Sequence, residues 1–340
     1  MAQYLINRDS PLPAYYQIAR DLRQRIAGGE WRTGSQLPSE PQLAQQYDVS
    51  RMTMRQAVQE LAKEGVLLRR RGAGTFVNQG FLDITAPPLE PMAQSMPGDR
   101  HKTELRQQVW AALRKVARPD SRYHWDFSEF VPDFEGSEFC AETIAEMPWY
   151  TRCKLLFVAP DNSLARVRTQ AILDGKRLLV ATHALMRGFY LVEPGVVPPE
   201  QAPLAATLDG LERYGERVTL DEVRSLGAID LLITGVSLVT EKGVRWGKGH
   251  GYFDLEWAMF REIGVVDQET PVIAVGHDCQ VAATELKPSA VDTIADVIVT
   301  PTRMLKVGHF YDKPQGVLWD FVSPELRQQV PPLQALFENE

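Results

Sequence analysis

The sequence predicts a two-part chain, a small helical head closed by a β hairpin followed by a larger α/β domain with a mostly parallel sheet. Three observations lead there. The 340 residues exceed what one core usually serves, since domains run at roughly 100–200 residues. Charge is divided, with a net of +4 over residues 1–78 and −11 over the remainder, against −7 for the whole. The apolar pattern also changes kind, from helical spacing before residue 78 to short, continuously apolar runs after residue 100. Residues 79–99 between them contain Pro87, Pro88, Pro91 and Pro97 with no helical period, the composition of a semi-rigid linker. The expected divisions are therefore 1–78, 79–99 and 100–340. No apolar run approaches the roughly 20 residues that span a bilayer, which excludes an integral membrane protein of the helical kind. The opening MAQYLINRDS has no signal-peptide pattern, so a cytoplasmic protein is expected. Cys140, Cys153 and Cys279 are too few and too scattered for a disulfide framework or a cysteine zinc site.

In the head, Tyr15, Ile18, Leu22 and Ile26 recur at spacings of three and four, predicting a helix over 14–27 that Gly28-Gly29 ends. Ser39 with Gln42 three residues on, and Pro41 in the first turn, marks the start of a short second helix. Asp48-Val49 reads as a turn, and Ser50 as the cap of a third helix running to residue 65. That helix buries Met54, Ala57, Val58 and Leu61 in one stripe. Its first turns carry Arg51, Thr53 and Arg55 on the polar side. A short helix, a tight turn and a longer helix with basic first turns is the arrangement that enters a DNA major groove, where Arg pairs with guanine and a Thr hydroxyl serves a base or a phosphate. Residues 66–77, VLLRRRGAGTFV, predict a hairpin turning at Gly72-Ala73-Gly74, with Arg69, Arg70 and Arg71 supplying attraction to phosphate. The partner implied is double-stranded DNA.

These residues, from PAYYQIARDL through LPSE, VSRMTMRQA and GAGTFV, resemble the winged helix-turn-helix domain of GntR-family transcription regulators. The resemblance implies a homodimer on a two-fold operator, contacted by Arg51, Thr53 and Arg55 and by the wing near Gly72 and Gly74. The family usually places an Arg after the Glu of LPSE, where it touches DNA; here Pro41 stands at that position.

After the linker, residues 101–117 form an amphipathic helix with Leu105, Val109 and Leu113 inward. Apolar runs at 155–159, 178–182, 231–239, 272–276 and 297–300, alternating with helical stretches such as 164–173 and 253–263, predict parallel strands covered on both faces. The loop after the long run, EKGVRWGKGHGYFD, alternates Gly247, Gly249 and Gly251 beside Lys242, Arg245 and Lys248. Backbone N–H groups freed of side chains, local positive charge and the start of a helix favour a phosphate. Many glycine-rich turns bind nothing, so position after a buried strand carries the reading. Asp254 is placed to hold Mg²⁺ between phosphates. The six His, at 101, 124, 183, 250, 277 and 309, lack zinc-ligand spacing, and of these only His250 lies in the loop.

Residues 100–320 resemble the 5-formyltetrahydrofolate cyclo-ligase (methenyltetrahydrofolate synthetase) family, which implies a NagB/cyclo-ligase-like α/β fold and use of ATP and Mg²⁺ to close 5-formyltetrahydrofolate. The resemblance assigns Lys102 and Arg106 to ATP, together with Arg245, Gly247, Lys248, Gly249, His250, Gly251 and Tyr252. It assigns Asp254 and Asp292 to the metal, and matches Gln280 to a recurring glutamine. Two departures stand out. The stretch where active members carry a folate-engaging Glu reads PDNSLARVRT, with Asp161 its only acid, and the Arg that follows the signature Asp is Leu255. Arg166, Arg168 and HALMRGFYLV instead resemble a divergent branch, some of whose members are associated with thiamin metabolism.

The leading expectation is a GntR-type regulator whose cyclo-ligase-like domain senses a small effector that is folate-like, thiamin-related or a nucleotide. The rivals are an active cyclo-ligase with an autoregulatory DNA-binding head, and a constitutive DNA-binding protein whose ligand site is vestigial.

Overall fold

The computed structural model describes residues 14–27, 30–32, 34–63, 66–70, 74–78, 99–118, 120, 126–128, 130–247 and 251–338. Two compact units divide them, one holding 14–78 and the other 99–120 and 127–338.

The head contains α1 (Ala14–Ala27), α2 (Glu40–Gln46), α3 (Arg51–Lys63), β1 (Leu67–Arg70) and β2 (Gly74–Val77). Local capping sets the helix starts. Ser39 and Gln42 close a capping box in which the Ser39 N–H donates to Gln42 Oε1 at 2.9 Å. Asp48 takes φ +51, a left-handed turn that a short polar side chain tolerates. The Ser50 hydroxyl then accepts from the Thr53 N–H at 3.1 Å. Ile18, Leu22, Leu43, Tyr47, Met54, Ala57, Leu61, Leu67 and Val77 form one core, so three helices and the hairpin share a single apolar centre. The hairpin is antiparallel, pairing Leu67 with Val77 and Arg70 with Gly74. Arg71, Gly72 and Ala73 of the expected tip lie outside the described residues, as does the expected end of α3 at 64–65.

The second unit begins with α4 (Asp99–Leu113) and α5 (Ser137–Ala145). Asp99, expected in the linker, opens α4 instead; the rest of the linker is outside the described residues. The remaining elements are β3 (Leu155–Val158), α6 (Ala165–Leu173), β4 (Arg177–Ala181), β5 (Phe189–Val192), β6 (Glu216–Val218), α7 (Leu220–Leu226), β7 (Leu231–Gly235), β8 (Leu238–Thr240), β9 (Arg245–Trp246), α8 (Tyr252–Glu262), β10 (Val272–Val275), β11 (Val281–Ala282), β12 (Val297–Val299), β13 (Met304–Lys306), α9 (Pro324–Gln329) and α10 (Pro331–Glu338), with short helical turns between them. Eight strands form one sheet in the order β13-β12-β10-β7-β3-β4-β5-β6. The five central strands are parallel; β5 and β13 run opposite to them, and β6 pairs antiparallel with β5. β3, β7, β10 and β12 are buried throughout, as strands covered on both faces must be.

One expected strand is two. The run at 231–239 breaks after Gly235, and β8 joins a separate three-stranded sheet ordered β11-β8-β9. The break is held by distant partners: Ser237 N–H donates to Trp246 O at 2.8 Å, and Gln280 Nε2 donates to Val236 O at 2.5 Å.

The segment after β13 is anchored into this fold. Lys313, 5% exposed, donates through Nζ to the carbonyls of Gln268 and Thr270 at 2.9 Å each and pairs with Asp296 at 2.7 Å. Trp257 Nε1 donates to Pro314 O at 2.9 Å, and Leu333 of α10 is fully buried.

Candidate functional site

On the head, α3 turns Met54, Ala57, Val58 and Leu61 inward and leaves Arg51, Met52, Arg55 and Gln56 exposed. Thr53 differs from expectation. It is half-buried, and its hydroxyl lies 2.8 Å from the Ser50 hydroxyl, so it belongs to the helix cap more than to the outward face. In the hairpin, alternation puts Arg69 and Arg70 on opposite faces. Arg69 pairs with Glu40 at the start of α2 at 2.9 Å, which directs its guanidinium along the helical side. Arg70 lies 5.0 Å over the Phe76 ring. Gly74 opens β2 with φ +113.

In the second unit the three segments singled out by sequence converge. α4 packs Leu105 and Val109 against Leu238, Val244, Trp246 and Ile294, which sets Arg106 beside the β8–β9 hairpin that feeds the glycine-rich loop. Lys102 lies one helical turn earlier on α4. Gly247 follows β9, and Gly251, at φ +67, is the N-cap of α8, a left-handed turn that suits glycine. Lys248, Gly249 and His250 lie outside the described residues.

Of the three cations expected around the loop, Lys242 and Arg245 each form an ion pair. Lys242 pairs with Glu285. Arg245, 3% exposed, pairs with Asp254 at 2.5 Å and sits 4.1 Å over the Phe253 ring, while Tyr252 opens α8. Asp254 Oδ1 also accepts from the Thr293 N–H at 2.8 Å, a contact with no signature in the sequence. Burial pushes the Asp254 carboxyl up to about 6; Arg245 pulls it down and the neighbouring Asp292 carboxylate pushes it up. Asp292 accepts from the Ser289 N–H at 2.7 Å. Asp254 and Asp292 are the two acids expected at a metal, and Asp254 Oδ1 is already shared between the Arg245 guanidinium and the Thr293 N–H. Among the described residues no group of three or more His, Cys, Asp or Glu gathers around one point.

A second feature sits at the carboxyl ends of the central strands. The chain runs from β3 to β4 on one side and later returns to β7 on the other, so the strand order reverses at β3/β7, where open α/β sheets form ligand crevices. Asp161 Oδ2 accepts from the Gly235 N–H at 2.9 Å there. Ser163 is 1% exposed and its hydroxyl has no hydrogen-bond partner among the described residues. A Cβ on Gly235 would lie 2.8 Å from both Asp161 Oδ2 and Ser163 Oγ, so only glycine fits. Arg168, 3% exposed, donates to the carbonyls of Ala159, Asp161 and Ala206 at 2.6–3.0 Å, which makes it a brace for this loop.

The 5-formyltetrahydrofolate cyclo-ligase family matches residues 99–301, more than half of the chain. The chain belongs to the 5-formyltetrahydrofolate cyclo-ligase family. In front of this cyclo-ligase domain, residues 14–77 match the bacterial regulatory proteins of the gntR family and form a winged helix-turn-helix. The human methenyltetrahydrofolate synthase domain-containing protein is 33% identical over 255 residues, covering 74% of this chain and 64% of that protein. This chain therefore spans less than two thirds of the length of that curated relative. The HTH-type transcriptional repressor NagR of Bacillus subtilis (strain 168) is 42% identical over 91 residues, covering 27% of this chain and 37% of NagR. The DNA-binding domain of AraR, solved in complex with operator ORX1, is 32% identical with a TM-score of 0.22, covering 23% of this chain and 98% of that one.

Proposed function

We propose that this cyclo-ligase family member is a DNA-binding transcription regulator whose second domain binds a small anionic effector and shifts the affinity of the head for operator DNA. The observation that carries the reading is the outward face of α3, where Arg51 and Arg55 stand exposed at the groove-entering end of a winged helix-turn-helix. In this reading two copies pair on a two-fold operator, and the wing residues Arg69, Arg70, Arg71, Gly72 and Gly74 contact its phosphates. The effector acts by binding one spacing of the two heads more tightly than the other. The folate-engaging position supports a sensor over an enzyme, since Asp161 spends its carboxylate on the Gly235 N–H.

The Asp254–Asp292 pair favours a second reading, an active ATP-dependent cyclo-ligase with an autoregulatory head. Lys102, Arg106, Arg245, the backbone of Gly247, Gly249 and Gly251, and the loop residues Lys248, His250 and Tyr252 would then hold ATP, and Asp254 with Asp292 would hold Mg²⁺. When bound, that pair supplies an activated phosphoryl group and charge neutralisation. A thermal-shift screen of folates, thiamin precursors and nucleotides, with and without Mg²⁺, tests the effector claim. Stabilisation by one class, with a matching change in DNA affinity, supports the sensor. Turnover of 5-formyltetrahydrofolate to the methenyl product at enzyme-like rates supports the second reading, and no stabilisation by any class refutes both.

A further inference from the structure

Resting on the DNA-binding reading, we infer that Met52 is a sequence-reading residue that contacts the 5-methyl group of a thymine in the operator. Met52 is 71% exposed, more than any other large apolar side chain among the described residues. A single exposed apolar residue on a surface is ordinary and by itself signifies nothing. Its placement decides the matter. Met52 lies in the first turn of α3, next to Arg51 and one turn from Arg55 and Gln56, all exposed. Because Thr53 turns into the Ser50 cap, Met52 and Gln56, one turn apart, form the outward row beside the row of Arg51 and Arg55.

The chemistry of the groove then identifies the partner. A thioether neither donates a hydrogen bond nor accepts a strong one, so Met52 gains nothing from the polar edges of guanine, cytosine or adenine. The thymine C5-methyl is the one apolar group that base pairs display in the major groove. Arg51 and Arg55 in the adjacent row bring the helix to the phosphates, in keeping with the +4 charge of residues 1–78. Gln56 presents the amide that pairs bidentately with adenine, so this face is suited to a site rich in A·T steps.

Deoxyuridine in place of thymidine removes that methyl and leaves the pairing edge intact, which gives a direct test. Sites are selected from randomised duplexes with the full chain at fixed salt, each thymine is replaced singly, and affinity is read by fluorescence anisotropy. The expected result is at least one thymine whose replacement weakens wild-type binding about fourfold, the worth of one buried methyl group. Met52→Ala should bind the thymidine and deoxyuridine duplexes equally, and Met52→Leu should restore the difference. A selected site without an invariant thymine, indifference of the wild type to every replacement, or full sensitivity persisting in Met52→Ala would each overturn the inference while leaving DNA binding in place. Failure to bind any duplex would overturn the DNA-binding reading itself, and this inference with it.

Discussion

Arg55 and Arg245 are both read from sequence as contacts to a polyanion, yet the fold holds them in opposite ways. Arg55 stands in water on α3. Arg245 is buried between a carboxylate and an aromatic ring. The difference follows from the ligand each would meet. DNA arrives as a long, hydrated rod that must find its partner across solvent, and an exposed cation attracts it at a distance. A small anion in a cleft is met at close quarters. A buried cation waiting for it would cost several kcal/mol without an internal counter-ion, and Asp254 supplies that partner. A ligand bearing phosphate would therefore compete with Asp254 for Arg245.

Substitutions should separate the two situations most clearly at the buried pair. Arg245→Leu leaves the Asp254 carboxylate uncompensated and should destabilise the second unit by about 3–5 kcal/mol in urea unfolding followed by near-ultraviolet circular dichroism. Adding Asp254→Leu should recover most of that loss, and a double variant no more stable than the single would break the comparison. Arg51→Ala and Arg55→Ala should instead leave stability within about 0.5 kcal/mol. Each should weaken duplex binding by about 1–3 kcal/mol, measured by fluorescence anisotropy. Arg69→Ala should act alike on every sequence and lower the slope of log affinity against log salt by about 1, whereas a sequence-dependent loss would assign Arg69 to base reading. The smallest effect is expected at the β3/β7 crevice. Ser163→Ala removes a buried hydroxyl that has no hydrogen-bond partner among the described residues, so stability should hold or rise by up to about 1 kcal/mol. If the crevice takes the effector, the same variant should lose ligand-induced stabilisation.

What could be read from sequence was what local chemistry decides. The starts of α2 and α3 were legible because Ser39–Gln42 and Ser50 act within four residues of themselves. The five central strands were legible because burial on both faces demands unbroken apolar runs. The break at Gly235 was hidden, since LLITGVSLV is apolar nearly throughout and the kink is imposed by Asp161, Trp246 and Gln280 from far along the chain. The edge strands β6 and β13 and the neighbouring β5 were equally hidden, being three or four residues long, with half-exposed or exposed positions. At the candidate site, the segments that meet were legible from their motifs, but their electrostatic state was not. Arg245 and Asp254 are nine residues apart, and only the path from β9 into α8 turns one toward the other. The engagement of Thr53 in the cap was not legible, since the same hydroxyl suits either a cap or a groove contact.

Lys313 gives the chain a boundary that family resemblance does not. The match to the cyclo-ligase family stops at residue 301, yet the ammonium that satisfies two strand-end carbonyls and the Asp296 carboxylate comes twelve residues later. A fragment cut at 301 would leave that acid and those two carbonyls without their cation and would lose the fully buried Leu333. Anyone wishing to express this cyclo-ligase domain apart from its head must carry it through residue 333 at least.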